Sequence, residues 1–156
     1  MTIPIVVVDD DKVDRYITRR IVKEANVGGE VVEYKSGDEF LAAVGEAHRQ
    51  AAENGERCSP MLVFLDINMP RMSGFEVLEA LQRDLPEGVG ADGCMVIMMF
   101  SSSNHAEDKA EALSYDFVKE YIVKPLTKQR LQELVEKYAT GPAQRSQEAG
   151  RCCRGL

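Results

Sequence analysis

Residues 63–78 read VFLDINMPRMSGFEVL. Val63, Phe64 and Leu65 belong to an apolar run over residues 61–65 that ends abruptly in Asp66. A run apolar throughout suits a strand buried on both faces, as in a parallel sheet covered by helices. Pro70 and Gly74 then punctuate a short loop, and residues 74–85 place Phe75, Val77, Leu78 and Leu81 at helical spacing. The stretch therefore reads as strand, loop, helix, with a carboxylate left at the strand's carboxyl end.

The same pattern repeats in both directions along the chain. Apolar runs at residues 3–8, 30–34, 95–100 and 121–123 end in Asp9-Asp10-Asp11, Lys35, Ser101-Ser102-Ser103 and Lys124-Pro125. Helical periodicity follows over residues 12–25, 38–54, 106–115 and 127–138, with Thr127 placed to cap the last. Five strand–helix alternations predict an α/β doubly wound domain, a five-stranded parallel sheet with helices on both faces. Residues 54–60 and 86–93 read as surface loops. The domain is predicted over residues 1–139, and residues 140–156, without apolar period, as a disordered tail.

The 156 residues carry 19 Lys and Arg against 26 Asp and Glu, a net charge of −7. The tail is net +2, so the body stands at −9. Such a body repels phosphate backbones, which argues against nucleic-acid partners. The apolar run at residues 95–100 falls far short of the roughly 20 residues a membrane helix needs. The N-terminus turns acidic too early for a signal peptide, so the expectation is a cytoplasmic protein that engages no membrane. Cys58, Cys94, Cys152 and Cys153 include no C-x-x-C pair and read as free thiols.

Strand ends carry the chemistry of an open α/β sheet, because its crevice lies outside the carboxyl ends of the strands. Here those ends supply Asp9 and Asp10, then Asp66, Ser101 and Lys124. Three carboxylates brought together repel one another unless a cation neutralises them. Oxygen-only ligands favour Mg²⁺ over zinc, and no Cys or His is placed to compete. Metal, ammonium, hydroxyl and backbone amides together suit a phosphoryl group. Asp11 and Asp14 read as cap and first-turn charges rather than ligands. Met69 and Met72 read as packing, and His48 and His105 as surface residues.

At these residues the chain resembles the receiver domains of two-component response regulators. VVVDDD matches the family's acidic pair, at Asp9 and Asp10; VFLDINMPRMSGFEVL matches the phosphoacceptor motif, at Asp66; IMMFSSS matches the switch hydroxyl; YIVKPLT matches the final Lys-Pro motif. The resemblance covers residues 3–138 and implies the flavodoxin-like (βα)5 receiver fold. It implies Asp66 as acceptor from a phosphohistidine, and Mg²⁺ held by Asp10, Asp66 and the backbone carbonyl of Asn68, with Asp9 acting through water. Lys124, Ser101 and the backbone near Ser102 would hold the phosphoryl oxygens. Ser101 and Tyr121 would be the switch pair, and the Lys124–Pro125 bond cis. Phe100 departs from the family's usual aliphatic residue, and three consecutive serines leave open a slip of the switch position to Ser102. Asn68 and Ser103 sit where the family tunes dephosphorylation.

The implied partner is a sensor histidine kinase or histidine phosphotransfer protein, with some likeness to regulators of hybrid or phytochrome-type kinases. Homodimerisation through the face of the fourth helix, fifth strand and fifth helix follows from family habit. Only 18 residues follow Tyr138, so the expectation is a stand-alone receiver that acts by contact or relays phosphate, catalysing no reaction beyond its own phosphorylation and dephosphorylation. Two rivals stand beside this reading. A degenerate receiver would serve as a phosphorylation-independent binding module. A haloacid-dehalogenase-like phosphatase would use Asp9 as nucleophile, since residues 9–13 fit D-x-D-x-[TV], but it leaves residues 66–70 unexplained.

Overall fold

A computed structural model describes residues 3–27, 29–55, 61–84, 95–102 and 104–140. Ser103, all four cysteines, most of both expected loops and the tail from residue 141 lie outside the described residues. The elements alternate without exception: β1 (Ile5–Val8), α1 (Lys12–Ala25), β2 (Val31–Tyr34), α2 (Gly37–Asn54), β3 (Met61–Asp66), α3 (Gly74–Asp84), β4 (Met95–Ser101), α4 (Ala106–Leu113), β5 (Val118–Val123) and α5 (Lys128–Val135). The strands form one parallel sheet in the order β2-β1-β3-β4-β5, as the alternation predicts. Order reverses between β1 and β3, so their carboxyl ends flank the crevice characteristic of such sheets.

Alternating side chains build two cores. Val6, Val8, Val63, Leu65, Ile97 and Met99 face one way, against Phe40, Val44, Val77, Leu78, Leu81 and Ala112 of α2, α3 and α4. Ile5, Val7, Leu62, Phe64, Met98 and Phe100 face the other, against Val22, Ala25, Leu131 and Leu134 of α1 and α5. This two-faced burial is why β1, β3 and β4 read as continuous apolar runs.

Helix starts are fixed by side chains. Asp11 caps α1 by accepting the Val13 N–H at 2.8 Å, and Thr127 caps α5 by accepting that of Arg130 at 3.1 Å, both as expected. Ser73 and Glu76 form a reciprocal capping box at the start of α3, with bonds of 3.3 and 3.1 Å. The S-x-x-E spacing announces that box, although the sequence reading passed over it.

The last strand and the last helix depart most from expectation. Strand β5 begins at Val118 rather than Tyr121, because a bulge opposite Ile97 and Met98 inserts Lys119 and breaks the apolar pattern. Glu120 then faces α5 and the turn that follows it, where Lys137, Arg130 and the Tyr138 hydroxyl meet its carboxylate at 3.1, 3.3 and 3.0 Å. The last helix also continues in a π-turn, Glu136–Thr140, which takes in Thr140 from the expected tail.

Glycine separates positions of contact from open ones. A Cβ on Gly74 would lie 2.5 Å from the Asp66 carbonyl oxygen, while one on Gly45 meets nothing within 4 Å. Gly74→Ala is expected to destabilise the protein by about 1–3 kcal/mol through displacement of the β3–α3 junction. Gly45→Ala, in the exposed middle of α2, should stabilise it by about 0.5–1 kcal/mol. Urea denaturation of the two variants checks both signs.

Candidate functional site

Every strand-end group named from the sequence except Ser103 lies within the described residues, and the acidic ones converge. Asp9 follows β1 and is almost fully buried; Asp10 beside it is exposed; Asp66 closes β3 and is 5% exposed. One carboxylate oxygen from each lies within 4.8 Å of the others. Arg15, itself buried, donates to the Asp9 carbonyl at 2.6 Å and pairs with Glu33 of β2 at 3.4 Å. It thereby pins the backbone that presents both acidic side chains. Nothing in the sequence pattern singles Arg15 out, since its partners lie on separate elements.

Lys124 follows β5, across a cis peptide bond to Pro125, as expected. Its backbone N–H donates to the Ser101 carbonyl at 2.7 Å. Its ammonium donates to Asp9 Oδ2 at 2.8 Å and Asp14 Oδ2 at 2.8 Å, and stands 3.6 Å from Asp66 Oδ1. It also sits 5.1 Å above the Phe100 ring, which in turn meets Phe64 edge-on. The unusual Phe100 thus lies under the lysine, within range of cation–π attraction. Asp14 does carry its first-turn charge, but the ion pair with Lys124 is an addition that sequence reading missed.

Ser101, fully buried, ends β4 opposite Val123, while Ser102 is exposed. Tyr121 stands opposite Met99 and packs against the core facing α2, α3 and α4. Alternation puts Ser101 on the Met99 side of β4, so Ser101 and Tyr121 are diagonal neighbours on one face. Asn68 is exposed just past β3.

Electrostatics follow from the crowding. Burial, and then the neighbouring Asp9 charge, push the Asp66 carboxyl up to about 7, against opposition from Lys124 and the Asn68 backbone N–H. Burial works against the charge on Lys124, but hydrogen bonds to Asp14 and Asp9 outweigh it and hold the ammonium above its ordinary value. The lysine is therefore cationic throughout the physiological range, while burial and the Asp9 charge bring the Asp66 carboxyl up to about 7.

The family model for the response regulator receiver domain matches residues 5–136. The chain belongs to the response regulator receiver family. Among its relatives, the nitrate/nitrite response regulator protein NarL of Escherichia coli (strain K12) is 34% identical over 103 residues, 65% of this chain and 44% of NarL. The receiver thus spans less than half of that relative's length. A two-component response regulator from Cytophaga hutchinsonii superposes with a TM-score of 0.75 at 24% identity, covering 90% of this chain and 99% of that one. The bacteriophytochrome response regulator RtBRR does so with a TM-score of 0.63 at 24% identity, covering 88% and 78%. At these identities the structural likeness shows the fold, the flavodoxin-like receiver architecture. No helix among the described residues is long and apolar enough to cross a membrane.

The raised Asp66 value has a stability consequence of definite sign. Its folded value, about 7, exceeds the reference 3.8, so the folded state retains a proton that the unfolded chain has released. That contribution is complete below pH 3.8 and is lost as pH rises through about 7. In chelator, Asp66→Asn should remove this loss. The unfolding free energy from urea denaturation should fall between pH 5 and pH 8 by on the order of 2 kcal/mol more for the wild type than for the variant, with the variant the more stable at pH 8.

Proposed function

We propose that Asp66 accepts a phosphoryl group from a phosphohistidine on a partner histidine kinase or phosphotransfer protein, and that phosphorylation switches a protein-binding face. The observation that carries this reading is the cluster of Asp9, Asp10 and Asp66 within 4.8 Å, with Lys124 beside it. Receiver domains as a family interact with histidine kinases and bind Mg²⁺.

The donor set fits that ion: hard carboxylate oxygens, with no sulfur or imidazole in the cluster. Asp10, Asp66 and the Asn68 carbonyl would hold it, with Asp9 through water. Once bound, it would neutralise the crowded carboxylates and the charge on the transferring group. An Asp66 oxygen attacks phosphorus; the new O–P bond forms as the P–N bond to imidazole breaks. Lys124 offers an N–H to a phosphoryl oxygen, and the Ser101 hydroxyl donates to another. Asp66 suits the nucleophile's role better than Asp9. Asp9 has both oxygens engaged, one by the Asp11 N–H at 2.9 Å and the other by Lys124 at 2.8 Å. This weighs against the phosphatase alternative, and the full set of Asp9, Asp10, Asp66, Ser101 and Lys124 weighs against a degenerate binding module.

Phosphorylation adds roughly two negative charges, which draw Ser101 inward. Tyr121, its diagonal neighbour, repacks into the space released and alters the face of α4, β5 and α5, where Leu113 and Val123 are 42% and 40% exposed. We assign output to this face, and homodimerisation as one form of it. Light scattering should then show dimer formation when beryllofluoride is added with Mg²⁺.

Acetyl phosphate with Mg²⁺ should add one phosphoryl group to the wild type by intact mass, and none to Asp66→Asn. Asp10→Asn should weaken the stabilisation by Mg²⁺ at least about tenfold in apparent affinity. Label retained in Asp66→Asn would reject the assignment.

A further inference from the structure

We propose that Asp14 is a positioning residue that holds the Lys124 ammonium off the acceptor and so keeps an Asp66 oxygen open for attack. This rests on the phosphoacceptor reading and adds to it a member outside the metal cluster.

A lysine ammonium has three N–H donors. Two are taken here, by Asp9 and Asp14, each at 2.8 Å. The Asp66 oxygen, at 3.6 Å, is beyond hydrogen-bond length. Yet Asp66 is a buried carboxylate beside a cation, and Coulomb attraction favours closing that gap. Asp9 does not oppose closure, because its oxygen lies in the same cluster as that of Asp66. Asp14 stands outside this cluster, on the first turn of α1, and supplies the second anchor. Without it the ammonium would settle between Asp9 and Asp66. An acceptor oxygen bonded to ammonium has a lone pair engaged and is a poorer nucleophile.

Asp14 is itself well placed to act as an anchor. Its backbone carbonyl accepts the Thr18 hydroxyl at 2.9 Å. The helix start around it is capped by Asp11 and tied to the Asp9 backbone by Arg15. The Asp14 and Asp9 carboxylates are therefore held by a common scaffold, and the ammonium bridges them. Its third N–H is the one left for a phosphoryl oxygen. In this account Lys124 keeps its place before and after transfer and does not swing between partners.

Two readouts test this. A crystal structure of metal-free Asp14→Ala should bring the Lys124 ammonium to hydrogen-bond distance from Asp66; an ammonium still about 3.6 Å away would overturn the proposal. Phosphorylation of Asp14→Ala at saturating acetyl phosphate and Mg²⁺ should slow by about tenfold, with Asp14→Asn between it and wild type. In a Lys124→Ala background, Asp14→Ala should add no further loss. A rate within twofold of wild type, or an equal loss without Lys124, would overturn the proposal. Failure of the wild type to take up phosphate would instead reject the phosphoacceptor reading, and the crystal distance would still decide the role of Asp14.

Discussion

Three carboxylates share one small volume at the carboxyl ends of two adjacent strands, and the surrounding structure serves to hold them there. Asp9, Asp10 and Asp66 repel one another, and no single-element device could keep them together. Parallel pairing of β1 with β3, from Ile5 opposite Leu62 to Val8 opposite Leu65, brings the two strand ends level. Arg15 holds the Asp9 backbone from α1. Gly74 lets α3 begin against the Asp66 carbonyl, where any side chain would collide. Lys124 supplies the positive charge from the far edge of the sheet.

Burial and the same crowding connect fold and function. A carboxyl pushed up to about 7 is a destabilised anion, and the folded state can relieve it by protonation or by a bound cation. In this reading the site is a charged arrangement awaiting a ligand. Lys124 partly compensates it, with its hydrogen bonds directed to Asp9 and Asp14 and only a longer ion pair, at 3.6 Å, to Asp66. Farther along β5, Glu120 shows the contrasting solution. Its carboxylate is met by Lys137, Arg130 and Tyr138, and these hold it below its ordinary value although burial acts the other way.

Much of this was legible in the sequence. Apolar runs ending in Asp9, Asp66 and Ser101 marked the sheet, because interior parallel strands are buried on both faces and show it in composition. Helix α1 was readable to its last residue, since Asp11 caps it and its apolar period is regular. Strand β5 was readable only at its end: the bulge at Lys119 and the charged Glu120 disguise an edge strand. The roles of Asp14 and Arg15 were hidden for a different reason. Asp14 meets a lysine 110 positions away, and Arg15 bonds a main-chain carbonyl, so neither contact leaves a local spacing to read.

Burial and like-charge crowding together raise the Asp66 carboxyl, and carbon-13 NMR of that carboxyl through a pH titration measures their combined effect directly. In metal-free protein the midpoint should lie near 7, and Mg²⁺ should displace it downward. A midpoint at the ordinary carboxylate value, unmoved by Mg²⁺, would contradict the account.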